Sequence, residues 1–230
     1  MKISVILSYY NRPAMAQRAI SSVLNQNYQD WQLVIMDDDS TPADGRVWGA
    51  CSSRVACYYT HTPASIPRGP ARMAMGINEA MQYVTGEVIC YLADDDFYHP
   101  DWLSHVADAF TYNSSVDVVW GRLRYTDAEG VPTGKERMPY GWEHPAKELD
   151  HNQVAHRRKF SQGVMPPWPT DMERLRRELD TDGPDAGFFY DLWNVTKQWL
   201  PLPWADAAFK RNHPHSMLLQ GVGNIGEVRE

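Results

Sequence analysis

The sequence predicts an α/β fold, a mostly parallel central sheet with helices on both faces. Three observations predict it. Apolar runs of strand length alternate with helix-period stretches through the first 120 residues. Three of those stretches open on prolines, Pro13, Pro70 and Pro100. Polar clusters follow the strands, where sheets of this kind bind their ligands.

Each element follows from local pattern. Residues 3–7 are a short apolar run, the mark of a buried strand. Pro13 suits a first helical position because its missing N–H has no intrahelical partner there, and Ala16, Ala19, Ile20, Val23 and Leu24 share one face. Residues 33–36 form a second strand that stops at Asp37, and 55–59 a third. Pro70 opens a helix with Met73, Ile77, Met81 and Val84 on one stripe, closed by Gly86. Residues 88–92 are a fourth strand ending in acids. Pro100 opens a helix with Leu103, Val106, Ala107 and Phe110 inward, followed by a strand at 116–120.

The second half is less regular. Residues 123–126 and Val131 flank Asp127-Ala128-Glu129-Gly130, a hairpin turn. Residues 138–169 are rich in Pro, Gly, His and Trp and read as a long active-site loop. Thr170 and Glu173 fit a capping box for a helix running to about 179. A last helix carries Phe188, Phe189, Leu192, Trp193 and Thr196, and the final twenty residues read as loose. No repeat or linker interrupts the chain, so 1–230 is expected to be one domain.

Composition narrows the function. A net charge of −7 argues against a nucleic-acid partner. The run Arg157-Arg158-Lys159 reads as a solvated loop, with an acidic acceptor or a membrane surface as its alternative role. Cys51, Cys57 and Cys90 are odd in number and lack CxxC spacing, so neither a zinc site nor a disulfide framework is expected and a reducing compartment fits best. The N-terminus turns polar at Ser8, too early for a signal peptide, and no apolar run approaches the ~20 residues that span a bilayer. The expectation is a cytoplasmic protein, soluble or peripheral to a membrane. Nine Trp and twelve Tyr suit core packing and also the lining of sugar sites.

The chemistry lies in two acidic triplets, Asp37-Asp38-Asp39 and Asp94-Asp95-Asp96, each directly after an apolar strand. Crowded carboxylates repel unless a cation or hydrogen-bond donors compensate. A divalent ion shared with phosphate oxygens is one such cation. Phosphoryl transfer would use a similar arrangement, but no GxxxxGK[ST] loop exists, and the first strand runs into Ser8-Tyr9-Tyr10-Asn11-Arg12-Pro13 instead.

That opening run resembles the start of family 2 glycosyltransferases with the GT-A fold. Asp37-Asp38-Asp39-Ser40 is similar to the family's Asp-Asp-x-Ser motif. Ala71-Arg72 with Gly76, Ile77 and Asn78 resembles its Ala-Arg-Asn-x-Gly helix start. The segment 94–103 resembles its metal-binding motif and following helix, and Asp185-Ala186-Gly187-Phe188-Phe189 its catalytic-base segment. Within the family the likeness is to the spore-coat polysaccharide glycosyltransferase type.

The resemblance implies an inverting, metal-dependent transfer of a sugar from a nucleoside-diphosphate sugar, a UDP- or dTDP-sugar, to a saccharide or glycoconjugate hydroxyl. Residues 1–120 would be the nucleotide-sugar-binding half and 121–230 the acceptor-binding half. Ser8, Tyr10, Arg12, Asp38, Arg72 and Asp94 would hold the donor. Asp95 and Asp96, with His215 of His213-Pro214-His215, would hold Mn²⁺ or Mg²⁺. Asp185 would be the general base. Pro184 stands where the common pattern has an acid, and Asp182 and Asp191 compete for the role. Two alternatives stand beside this reading: a non-catalytic sugar- or nucleotide-binding module, and a nucleotidyltransferase, which would want a glycine-rich basic loop that 8–13 does not supply.

Overall fold

The computed structural model describes residues 1–40, 52–60, 62–63, 65–66, 68–139, 148–161, 168–181 and 183–212. Among them the strands are β1 (Ile3–Tyr9), β2 (Trp31–Asp37), β3 (Val55–Tyr59), β4 (Val88–Ala93), β5 (Phe97–Tyr98), β6 (Val118–Thr126), β7 (Pro132–Arg137), β8 (Val154–Arg157) and β9 (Trp199–Arg211). The helices are α1 (Pro13–Leu24), α2 (Pro70–Ala80), α3 (Trp102–Tyr112), α4 (Met172–Leu179) and α5 (Pro184–Val195).

One sheet runs β3-β2-β1-β4-β8-β6-β9-β5, with β7 on β6. Its first four strands are all parallel, with α1 crossing from β1 to β2 and α2 from β3 to β4. The other half is mixed: β8 is antiparallel to both β4 and β6, while β6 and β9 are parallel. Strand periodicity sorts the core into two layers. Ile3, Val5, Leu7 and Tyr9 face α1 and α3, whereas Ile6 on β1 faces α2 and α5 with Val34, Ile77, Phe188 and Phe189. Helices therefore cover both faces of an α/β sheet.

Several elements differ from the sequence pattern. The helix after Pro70 ends at Ala80 and buries Arg72, Ala74, Gly76, Ile77 and Ala80, while Val84 is buried beyond its end and Met73 and Met81 of the expected stripe are partly buried against the same core. Gly76 permits a close approach: a Cβ there would lie 3.2 Å from Thr60 Cγ2. The N-cap of α4 is Asp171, which accepts from Arg174 N–H, rather than Thr170. The hairpin is present, with Val131 N–H donating to Asp127 Oδ1 at 2.8 Å.

Three strands fall outside the sequence pattern: the two-residue β5 after the acidic triplet, β8 and β9. β8 lies inside the supposed loop 138–169, and β9 is a 13-residue strand reaching into the segment expected to be loose. The basic run is mostly internal scaffolding. Arg157 Nε donates to Val116 O at 2.7 Å, Arg158 reaches Val84 O, and Lys159 pairs with Asp117 at 2.7 Å. Among the described residues no helix is long and apolar enough to cross a membrane.

Candidate active site

Three loops meet at the carboxyl edge of the parallel strands. Backbone bonds tie them together: Asp38 N–H donates to Tyr9 O (2.9 Å), Asn11 N–H to Ser40 Oγ (3.0 Å) and Tyr10 N–H to Asp94 Oδ2 (3.1 Å). Asn11 and Asp39 hold left-handed backbone, φ 48° and 61°. Asn and Asp tolerate that region better than most side-chain-bearing residues, and such local strain concentrates at functional loops. Ser8, paired in register with Met36 and Ala93, completes the edge.

Asp38 is the focus of one cluster. Arg72 Nε lies 2.7 Å from both its oxygens, Arg68 Nη1 2.6 Å from Oδ2, and Thr60 Oγ1 donates to Oδ1 at 3.0 Å. Arg72 is only 3% exposed and also donates to Pro63 O and Ile66 O, so it fixes the loop leading to α2. The Arg68 guanidinium stacks over the Tyr10 ring, 3.8 Å from its centroid. Arg68 was not singled out from the sequence, although an arginine just before a helix facing an acidic loop is a usable signal.

Arg12 is the focus of the second. Its Nη2 lies 2.6 Å from Asp94 Oδ1 and its Nη1 2.6 Å from Asp95 Oδ2. Burial opposes the Arg12 charge, yet Asp94 and Asp95 outweigh it and hold its pKa above the ordinary value. Burial likewise pushes the Asp94 carboxyl up, with Arg12 pulling it back. Two carboxylates thus share one centre of positive charge.

Asp96 behaves differently from the expectation that it faces a metal beside Asp95. It is 2% exposed, and its oxygens accept from Arg211 N–H and Asn152 Nδ2, each at 2.8 Å. It turns inward because protein donors are available there, and it joins the acidic loop to β9 and to the 3-10 turn His151–Gln153. Lys210 Nζ stands 3.6 Å from it and 2.6 Å from Asp150. Asn152 also accepts the Ala93 N–H at 2.7 Å through Oδ1. No sequence signal tied Asn152 to the acidic loop or Lys210 to Asp150, because those bonds span 56 to 60 residues.

Asp185 lies in the first turn of α5, where the helix N-terminus favours a negative charge. Oδ1 accepts the Ala186 N–H at 2.9 Å, and Oδ2 is 3.6 Å from Nδ1 of His151. Asp191 is engaged elsewhere, 3.4 Å from Arg174 on α4. Asp182, His213 and His215 lie outside the described residues.

The resemblance of the acidic segments to family 2 glycosyltransferases implies a divalent ion as cofactor. Among the described residues no group of three or more His, Cys, Asp or Glu is arranged to hold a metal. The protein alone offers no cage, but Asp94 and Asp95 flank a point that already carries a cationic group. Those two hard oxygen donors fit an ion whose remaining ligands are water and phosphate.

With this geometry in place, the chain can be set against known proteins. Residues 4–166 match the model of glycosyl transferase family 2. The chain belongs to this family. Protein CgeD of Bacillus subtilis is 30% identical over 165 residues, covering 69% of this chain and 39% of CgeD. The glycosyltransferase alr2836 of Nostoc is 34% identical over 122 residues, 52% of this chain and 36% of its own length. The family 2 chain therefore spans under two-fifths of these relatives.

Among solved structures it superposes on TarS of S. aureus with a TM-score of 0.72 at 17% identity, covering 93% of this chain and 37% of TarS. The mannosyltransferase PcManGT of Pyrobaculum calidifontis gives 0.60 at 15% identity, covering 91% and 56%. Identities that low establish the fold alone, and the fold is GT-A. TarS 1-349 has been solved with UDP-GlcNAc, and PcManGT with GDP-Man and Mn²⁺.

Proposed function

We propose that this family 2 glycosyltransferase moves a sugar, with inversion, from a UDP- or dTDP-sugar to a hydroxyl of a saccharide or glycoconjugate. The observation that carries the reading is the reach of two consecutive residues: Asn152 bonds to the acidic loop through Asp96 and Ala93, while His151 stands against Asp185. A donor-type acidic edge and a separate carboxylate are thereby linked across one turn. We take residues 1–120 as the donor half and 121–230 as the acceptor half of one domain.

In this reading Asp38, an acceptor-only carboxylate, takes the imide N–H of a pyrimidine base, beside Ser8 and the Tyr10–Arg68 stack. Asp94 faces the ribose or sugar, and Arg12 and Arg72 offset diphosphate charge. Asp95, with Asp94, would hold Mn²⁺ or Mg²⁺, which supplies Lewis-acid stabilisation to the departing diphosphate. Asp185 removes the acceptor proton as the new bond to the anomeric carbon forms and the bond to diphosphate breaks. Attack opposite the leaving group inverts that carbon.

A panel of nucleotide-sugars incubated with Mn²⁺ and scored for slow hydrolysis tests this without an acceptor. Release of UDP or dTDP by the wild type and not by Asp95→Ala supports it. Metal-independent binding with no turnover of any donor would favour the binding-module reading instead.

A further inference from the structure

His151 is a buried polar side chain that the reaction as described leaves unused. It is 7% exposed, and among the described residues neither ring nitrogen has a hydrogen-bond partner. Leaving such a group unsatisfied costs about 1–3 kcal/mol, so its placement calls for a reason.

The ring is held from several sides. Trp168 meets it edge-on, centroids 6.1 Å apart at 82°, and Trp168 is itself pinned by two bonds to Asn78. Asp150 and Gln153 form a capping box that fixes the turn carrying His151. Its Nδ1 lies 3.6 Å from Asp185 Oδ2 and 3.8 Å from Asp150 Oδ1. Asp150 is already engaged by Asn152 N–H (3.0 Å), Asn152 Nδ2 (2.6 Å) and Lys210 Nζ (2.6 Å). Asp185 is the carboxylate with an oxygen turned towards the ring, since Oδ1 is taken by Ala186 N–H.

We propose that His151 is the positioning residue of Asp185: its Nδ1–H takes Oδ2 and aims the remaining lone pairs of that carboxylate at the acceptor hydroxyl. The inference rests on the reading of Asp185 as the base and adds what orients it. At 3.6 Å the contact is longer than a hydrogen bond. Contacts of this kind tighten when substrate fills the site. The charged groups facing the ring are Asp150 from its own turn, Asp185 from α5 and Lys210 from β9. Burial opposes an imidazolium there, but the Asp185 and Asp150 carboxylates outweigh it and hold the His151 pKa above its ordinary value.

The test uses the full chain with UDP-GlcNAc and Mn²⁺, where water takes the acceptor's place in hydrolysis. Asn presents an amide N–H near the position of Nδ1, and Gln near that of Nε2. His151→Leu and His151→Gln are expected to lose about 10–10²-fold in kcat, the scale of a misplaced catalytic group, with KM within about twofold. His151→Asn should retain most of the rate. Should the Leu variant fail to fold, the Asn and Gln variants carry the comparison. Independently of turnover, the NMR titration of the His151 ring should fall towards the ordinary imidazole range in Asp185→Asn. A His151 titration unmoved by Asp185→Asn, or an Asn variant as slow as the Gln variant, overturns the proposal. Failure of the base reading looks different: Asp185→Asn itself would keep full hydrolysis.

Discussion

The Nε of Arg72 lies 2.7 Å from both carboxylate oxygens of Asp38. The residue expected to read the base therefore comes with its own counter-ion, drawn from the start of α2. That counter-ion also holds the carbonyls of Pro63 and Ile66, so it couples charge to loop shape. Removing it should cost both stability and nucleotide affinity. For Arg72→Leu we expect a loss of about 2–4 kcal/mol in urea unfolding, near the range for breaking a buried ion pair, with Arg68 limiting the damage. Arg72→Lys should rescue little, because an ammonium cannot bind the carboxylate and two carbonyls in the same fork. Full stability in the Leu variant would contradict this account.

Nucleotide binding should be linked to metal through Asp95. UDP is expected to raise the melting temperature more with Mn²⁺ than with a chelator, because a ligand that binds only the folded state stabilises it by mass action. Asp95→Ala should erase the difference while leaving the apo protein folded. Equal stabilisation with and without metal would remove the metal from the mechanism.

Asp185 and Asp191 should separate cleanly. Asp185→Asn should lower transfer by at least ~10²-fold, the usual contribution of a positioned base. Donor affinity should stay within about twofold, since a base acts on the acceptor in the transition state. Asp191→Asn breaks the partly exposed pair with Arg174 and should affect stability by about 1 kcal/mol or less, with transfer largely intact. Loss of transfer in Asp191→Asn alone would move the base by two helical turns.

Acid should weaken the fold through His156. This buried ring has Nδ1 3.0 Å from Arg157 O and Nε2 2.7 Å from Tyr91 Oη. A carbonyl only accepts, so Nδ1 carries the proton and the Tyr91 hydroxyl donates to Nε2. Burial pushes His156 down to about 4, below its unfolded value near 6.5. The unfolded chain then binds the extra proton between those values, so stability is intact above about pH 6.5 and falls as pH drops towards 4. The loss is on the order of 3 kcal/mol. Urea unfolding of wild type and His156→Phe at pH 7 and 4.5 checks it: the wild-type advantage should shrink in acid. An advantage that is the same at both pH values would clear His156 of the effect.

The parallel half of the fold was legible because its signals are local. Apolar runs, Pro13 and Pro70 at helix starts, and acids at strand ends each act within a few residues, and the structure follows them from β1 to β4. The donor-side residues Asp38, Arg72, Asp94 and Asp95 come with those strands. The second half was not legible, for a physical reason. β8 is four residues long and includes the buried His156 and the half-buried Arg157, whose places make sense only beside Tyr91 and Val116. β9 contains two prolines and alternates poorly, and β6 supplies the pairing that makes it a strand. Asp96 shows the same limit within the site: its neighbours in sequence suggest a metal, while Asn152 and Arg211, far along the chain, turn it inward.

The position of β8 has a consequence for how the protein is made. It wedges between β4 and β6, although both leave the ribosome before it does. The nascent chain therefore carries an open edge on β4 until residues 154–157 emerge, and β6 has no seat in the sheet before then. An unpaired apolar edge is a template for association with other chains. Contacts this distant in sequence also slow folding. Synthesis halted before β8 should give a product prone to aggregation, whereas one halted after β9 carries all the described strands of the ladder.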